Sequence, residues 1–419
     1  MTFFTISVSF GVMIVKKVTV ISPYHGGSHK AWAAGWQTHS RHEVALLTLP
    51  DRFWKWRMHG GAVTLARRWR EGMERGELDR PDVFLATDML DVTTFLALTR
   101  PYTAHTPLVL YMHENQLTYP LPQDGRTGPM RRQRGERDYH YVFINYASML
   151  AADRILFNSR YHLESWFAAL PNFLKHFPEY NELGSIERLQ EKSDVLPVGI
   201  DFARLEIGER RVEIGNQRLE IGDQRLEIDA KSLISNLRSP LILWNQRWEY
   251  DKNPEAFFAA LYAAVEAGLP FRVALCGQVY GKRPSIFDEA QEKLGDRIIH
   301  AGFADEETYR RLLWEAAVVI STAHHEFFGI AILEAIYCQT FPLLPRRLSY
   351  PELIPEAYHL QCLYDNQEGL VQRLKWVLTH GEEVRDTAVT LSRAVTRFNW
   401  PHIAPQYDNL IQNVVSCHS

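Results

Sequence analysis

The stretch AVVISTAHHEFFGIAILEAIY, Ala317 to Tyr337, reads as one strand, one loop and one helix. Ala317–Thr322 is a short continuous apolar run, the pattern of a parallel strand covered on both faces. Gly329 lets the chain turn sharply, and the apolar residues behind it predict a helix. Two acids, Glu326 in the loop and Glu334 inside the helix, stand eight positions apart. A fully helical path would separate them by about 12 Å. Paired glycosidase carboxylates sit about 5–9.5 Å apart across one bond. The two acids are therefore expected to hold different parts of one long ligand.

The same alternation extends in both directions. KKVTVIS, HEVALLTL, PDVFLAT, TPLVLYM, DRILFNS and SDVLPVGID are expected strands of a first series, with YHYVFINYASMLAAD as a helix. SPLILWN, FRVALCG, DRIIHAG, AVVIST and TFPLLP form a second series, interleaved with the helices NPEAFFAALYAAVEAG, DEETYRRLLWEA and GIAILEAIY. Two successive βα series predict an α/β protein with two doubly wound sheets and ligands at the carboxyl ends of the strands. The expected organisation is a domain over 13–195, an insert over 204–232, a second domain over 233–400 and a tail over 401–419.

Composition fits this reading. The chain has 419 residues, 46% hydrophobic and 23% charged, enough for two domains that each bury a core. A net charge of -4 does not mark a general nucleic-acid binder, although a local basic face is compatible with it. Cys276, Cys338, Cys362 and Cys417 have neither metal-ligand nor disulfide spacing, which predicts a reducing, cytoplasmic setting. The apolar start MTFFTISVSFGVMIV lacks the charged n-region and cleavage site of a signal peptide, and Met13 is a candidate start. No apolar run approaches the ~20 residues of a membrane span.

Between the two series runs a heptad repeat, RLEIGER, RVEIGNQ, RLEIGDQ and RLEID, from Arg204 to Asp229. Its apolar positions are spaced by two, unlike a coiled coil, and a glycine recurs in three units, each disfavouring a helix by about 1 kcal/mol. It is expected to be a low-complexity surface insert with no catalytic part.

Four further motifs carry chemistry. SPYHGGSHKAW follows the first strand, so Gly26 and Gly27 before a helix suit close approach of a phosphate; a plain strand-to-helix turn is the alternative. YMHENQLTYP places His113, Glu114 and Asn115 at a strand's carboxyl end. WNQRWEYDKNP places Arg247 and Lys252 after the first strand of the second series, two cations suited to a diphosphate. DRFWKWRMHGGAVTLARRWR carries six Lys or Arg against one acid, among them Arg67 and Arg68, interleaved with Phe53, Trp54, Trp56 and Trp69. Cations and rings together suit a single-stranded RNA loop, and RTGPMRRQRGER adds Arg131 and Arg132. An amphipathic helix with buried tryptophans is the other reading of the former stretch.

Together these motifs resemble the retaining, two-domain (GT-B) glycosyltransferases of family 4, which carry a Glu, seven residues, Glu motif preceded by an Arg and Lys loop. PYHGGSHKAWAAGW, RFWKWRMHGGA, YMHENQLTYP, FNSRYH, WNQRWEYDKNP and HEFFGIAILEAIYC are similar to the tRNA-queuosine α-mannosyltransferase family, also called glycosyltransferase-like domain-containing proteins. The resemblance implies two facing Rossmann-like domains with the active site in the cleft between them. It implies mannose transfer from GDP-mannose to queuosine in the anticodon of tRNA-Asp, without a metal. By the same resemblance Arg247 and Lys252 would hold the diphosphate and Glu334 the ribose. Glu326 with the Phe328, Gly329 and Ile330 amides would hold the mannose, and His113 would line the sugar site. Gln246 and Gln339 stand where the wider family has glycines. Two other functions stay open: a family 4 enzyme acting on a glycan or lipid, and an RNA-binding protein without catalysis on the same fold.

Overall fold

The computed structural model describes residues 14–120, 137–206, 239–277 and 284–418. Met13, Arg131, Arg132 and the repeat from Ile207 onward lie outside the described residues.

The apolar runs form two six-stranded sheets. The first contains β1 (Lys17–His25), β2 (Glu43–Pro50), β3 (Val83–Thr87), β4 (Leu108–Met112), β5 (Arg154–Phe157) and β6 (Ser193–Val195), in the order β2-β1-β3-β4-β5-β6. The second contains β7 (Leu241–Trp244), β8 (Arg272–Cys276), β9 (Ile298–Gly302), β10 (Val318–Ile320), β11 (Phe341–Pro345) and β12 (Leu363–Tyr364), in the order β12-β11-β10-β7-β8-β9. β1 pairs in parallel with β2 and β3, and β7 with β8 and β10. The central strands β3, β4 and β7 are buried along their whole length, as runs without polar alternation require.

In each sheet the chain reverses its direction of winding between two neighbouring strands. In the second sheet this reversal falls between β7 and β10. Loops leaving the carboxyl ends of such a pair diverge to opposite faces, and the crevice they leave is where doubly wound sheets bind ligands.

The described residues divide into two compact units, which differ from the domains expected from the sequence. One comprises the chain up to Tyr111, Tyr146–Ile155 and the residues from Ala404 onward; the other comprises Met112–Asn145 and Leu156–Ile403. The expected tail is the helix Trp400–His418, and its last part is core in the first unit. Asp408 is buried there, accepting from Trp36 Nε1 at 3.0 Å, Ser40 Oγ at 2.7 Å and the Arg41 amide at 2.9 Å. Those donors replace the water that a buried carboxylate loses. Tyr407 accepts from Trp32 Nε1 at 2.9 Å in the same layer.

The repeat also begins later than expected. Arg204 and Leu205 close the short 3-10 turn Ala203–Leu205; Leu205 is buried, and its carbonyl accepts from Trp314 Nε1 at 2.8 Å. Tyr337 donates to Glu206 at 3.0 Å and stacks on Phe202 at 4.3 Å. Residues 204–206 therefore belong to the folded body. All four cysteines are free thiols.

Candidate functional site

The second unit gathers its charged groups at the reversal between β7 and β10. After β7 the chain runs through Asn245 and Arg247 into the 3-10 turn Tyr250–Lys252, and Asn253 (φ 51°) caps the helix Pro254–Glu266. After β10, Thr322 Oγ1 donates to the carbonyls of Lys252 at 2.9 Å and Asn253 at 2.8 Å, while the His324 amide donates to the Asp251 carbonyl at 2.8 Å. These bonds fasten the two loops to each other, so their side chains are fixed in one place.

Lys252 is the centre of this arrangement. It is buried, its Nζ donates to the His325 carbonyl at 2.8 Å and to Glu326 Oε2 at 3.3 Å, and Asp251 Oδ2 lies 3.4 Å away. Burial by itself raises the Glu326 carboxyl, but Lys252, His325 and the Phe328 amide outweigh it and hold Glu326 below the ordinary carboxylate range. The neighbouring His325 imidazole is pushed down to about 4 by burial and by Lys252, and so is neutral at pH 7.

Gly329 caps the helix Ile330–Tyr337 at φ 101°, a conformation that a side chain strongly disfavours. A Cβ there would also lie 3.1 Å from Leu353. The glycine thus aims the helix N-terminus, and Phe328, Gly329 and Ile330 form the turn that opens it.

Glu334 sits in the same helix with different partners. Its Oε1 accepts from Arg204, and its Oε2 from the Tyr309 hydroxyl at 2.9 Å. Asn245 Nδ2 donates to that hydroxyl at 3.1 Å and to the Ala331 carbonyl at 2.8 Å. Burial raises the Glu334 carboxyl, and Arg204 and Tyr309 oppose the rise. The two acids of the opening motif therefore serve separate clusters, Glu326 with Lys252 and Glu334 with Arg204.

The loop after β4 completes the cluster. Tyr119 takes a long hydrogen bond of 3.4 Å from Arg247, and its ring lies 4.5 Å from that of His325. Tyr250 donates to the Pro120 carbonyl at 2.9 Å. Burial pushes the Glu114 carboxyl up while the Arg247 charge opposes it. His113 is half-buried, and its carbonyl accepts from Asn158 at 2.8 Å.

Several sequence expectations require correction. Asn115 is fully buried, and its Oδ1 accepts from the Leu117 amide at 3.0 Å and the Thr118 amide at 2.8 Å. Its carbonyl oxygen shapes the turn instead of facing an acceptor. Arg137, in the second basic run, donates to the carbonyls of Gln116 at 2.6 Å and Tyr119 at 2.8 Å, and so braces that loop. Gly26 does not leave an open phosphate seat: a Cβ there would lie 2.0 Å from the Asp51 carboxylate. That acid stands beside the start of the helix Gly27–His39, where it repels a second anion. Gly27 does adopt the positive φ expected of the turn, 48°.

The basic aromatic stretch is the helix Trp54–Glu74. Its tryptophans divide. Trp69 is core, edge-on to Phe84 at 5.2 Å, whereas Trp54 is 37% and Trp56 61% exposed. Arg67 pairs with Glu71 at 2.8 Å, and Arg68 donates to the Thr48 carbonyl at 3.3 Å. Sequence reasoning did not single out Tyr119, Asn245, Tyr309 or Arg204. Tyr119 lies inside YMHENQLTYP and Asn245 inside WNQRWEYDKNP, but nothing local distinguishes Tyr309 or Arg204.

Among the described residues no three His, Cys, Asp or Glu side chains form a metal-ligand group, and no helix is long and apolar enough to cross a membrane.

Comparison with known proteins shows the family and the fold. Residues 17–200 match the family described as tRNA-queuosine alpha-mannosyltransferase N-terminal, and residues 226–390 match glycosyl transferases group 1. The tRNA-queuosine alpha-mannosyltransferase of Drosophila melanogaster is 32% identical over 358 residues, 85% of each chain. A GDP-mannose:cellobiosyl-diphosphopolyprenol alpha-mannosyltransferase of Xanthomonas oryzae pv. oryzae (strain PXO99A) is 26% identical over 40% of this chain and 45% of its own. In fold, the chain resembles the starch synthase IV catalytic domain of Arabidopsis thaliana, with a TM-score of 0.68 and 13% identity over 96% of this chain and 100% of that one. It also resembles sucrose-phosphate synthase of Thermosynechococcus elongatus, with a TM-score of 0.67 and 14% identity over 96% and 99%.

Proposed function

We infer the reaction from one premise: the chain belongs to the tRNA-queuosine α-mannosyltransferase family. It transfers mannose from a nucleotide sugar to a hydroxyl of queuosine in tRNA. We propose GDP-mannose as the donor, tRNA-Asp as the acceptor and the cytoplasm as the setting. The donor reading is supported by the second relative, whose name specifies GDP-mannose. The four free thiols suit a reducing compartment.

The observation that carries the mechanism is the convergence of Arg247, Lys252 and Glu326 on the loops that leave β7 and β10. On this reading Arg247 and Lys252 take the diphosphate, together with the start of the helix Ile330–Tyr337. Glu326 accepts from the mannose hydroxyls, with His113 on the sugar's other side. Glu334 accepts from the ribose, its carboxylate kept in place by Arg204 and Tyr309. The bond from the anomeric carbon to the diphosphate breaks as the queuosine hydroxyl oxygen bonds to that carbon on the same face. The hydroxyl proton passes to the departing phosphate oxygen. Arg247, Lys252 and the helix terminus stabilise the charge that develops there. They do so without a divalent ion.

The test incubates the protein with GDP-mannose and tRNA that carries or lacks queuosine, then analyses the nucleosides by mass spectrometry. A hexose added to queuosine alone is the expected result. Transfer to tRNA lacking queuosine, or none to tRNA bearing it, refutes the reading.

A further inference from the structure

The helix Trp54–Glu74 begins with a cluster of exposed aromatic residues, Phe53, Trp54 and Trp56. Phe53, its N-cap, is 80% exposed and sits at φ 54°, ψ 58°. This left-handed conformation is uncommon for a bulky residue, and such backbones cluster at functional sites. Trp56 is 61% exposed, yet its ring has a built seat: a Cβ on Gly60 would lie 2.4 Å from two of its carbons. The ring therefore rests against the glycine one turn ahead while most of the residue stays exposed. Val63, 52% exposed, continues the same helix face. The next residue on from that seat, Gly61, packs towards Pro23 at the carboxyl end of β1, with 3.0 Å between an added Cβ and that ring.

Trp69 on the same helix shows how a structural tryptophan packs here, 2% exposed against Phe84. Phe53 and Trp56 forgo such burial while flanked by Arg52 and Lys55, both exposed. Fixed aromatic faces beside unburied cations match a base with its phosphate.

We propose that Phe53 and Trp56, with Trp54 beside them, form a platform on which unpaired bases of the acceptor RNA stack, with Arg52 and Lys55 taking the adjoining phosphates. The proposal rests on the reading of the acceptor as RNA and adds the surface that grips it outside the modified nucleoside. A lipid surface fits less well, because beyond Val63 the outer positions are Arg67, Arg70 and Glu71 in place of a continuing apolar stripe. A second copy of the chain would need about 20 residues on each side, far more than this patch supplies.

The experiment measures equilibrium binding of a fluorescent anticodon stem-loop RNA that lacks queuosine to the full chain and its variants. Trp56→Ala should weaken binding about 5- to 150-fold. Trp56→Phe should keep most of the affinity. Gly60→Ala, which removes the seat but not the ring, should also weaken it. Thermal midpoints of the Trp56 variants and GDP affinity of all three should match the parent. Parental RNA affinity in Trp56→Ala overturns the platform. So does a Trp56→Ala protein with a lowered thermal midpoint, which would make the ring structural. Loss of binding to anionic phosphatidylserine vesicles, or of a dimer, with RNA affinity intact, overturns it in favour of those partners. Since the probe lacks queuosine and no sugar transfer is read, failure here is distinct from failure of the transfer reaction.

Discussion

Arg204 donates to Oε1 of Glu334, a residue 130 positions further along the chain, while Tyr309 donates to the other carboxylate oxygen. Glu334 is nearly sealed from solvent and Arg204 is partly open, with side-chain exposures of 6% and 37%. The root of the repeat thus supplies the cation for a buried acid in the second unit. Arg204→Ala leaves that acid with one neutral donor and should cost about 1–3 kcal/mol, less than a fully buried pair because water screens the arginine. Urea denaturation measures the loss, and parental stability would show that the pair contributes nothing.

Arg247 and Lys252 should separate when each is removed. Both substitutions to alanine should weaken nucleotide-sugar binding by roughly 1.5–3 kcal/mol, the value of a charge-assisted hydrogen bond. Lys252→Ala should also destabilise the fold, since it leaves Asp251 and Glu326 without their cation. Arg247 is 45% exposed in its side chain, so its loss should spare stability. Glu326→Ala should reduce turnover more than GDP affinity. Calorimetry with GDP, thermal melts and a mannose-transfer assay together check all three; parental GDP affinity in Arg247→Ala would sink the assignment.

Removal of divalent ions should leave the reaction running. If Arg247 and Lys252 carry the diphosphate charge, turnover in EDTA should match turnover in magnesium. A large, magnesium-reversible loss would show that a metal shares the role.

The repeat should be dispensable from Gly208 onward but not before. Surface insertions add little loop-closure free energy, about 0.6 kcal/mol for each doubling of length. Replacing 208–229 by a short Gly/Ser bridge should preserve folding and transfer. Extending the deletion back through Arg204 should lose stability, because Leu205 and Glu206 also bond to Trp314 and Tyr337. Equal stability of the two deletions would refute this boundary.

Acid should destabilise the protein through its buried histidines. Burial, with His25 nearby, lowers His29 to about 4, and burial with Lys252 does the same to His325. Between the ordinary value near 6.5 and about 4, the unfolded chain binds protons that the folded chain refuses. Stability is therefore full above that window and falls as pH drops through it, by about 3 kcal/mol per histidine at most. The depressed Glu326 carboxyl adds a loss of the same sign at still lower pH. Denaturation midpoints at pH 7.5, 5.5 and 4.5 test this. His29→Asn should flatten the dependence, and an unchanged slope would assign it elsewhere.

Strands β1 to β11, the helix behind Gly329 and the loops that carry Arg247, Lys252 and Glu326 were legible in the sequence, whereas the two-residue strand β12 was not. Apolar runs, a glycine and the loop following a strand are local signals, and they specify strand ends where ligands gather. The tertiary structure alone decided which side chains those ends share. It joined Arg204 to Glu334, set Asp51 against Gly26 and turned the Asn115 oxygen inward. It also buried Trp69 while leaving Trp56 in solvent, and returned Tyr407 and Asp408 to the first unit. A charged or aromatic residue has the same local pattern whether it is core, brace or binding surface. Its role is fixed by partners tens to hundreds of residues away, and only folding brings them within hydrogen-bonding distance.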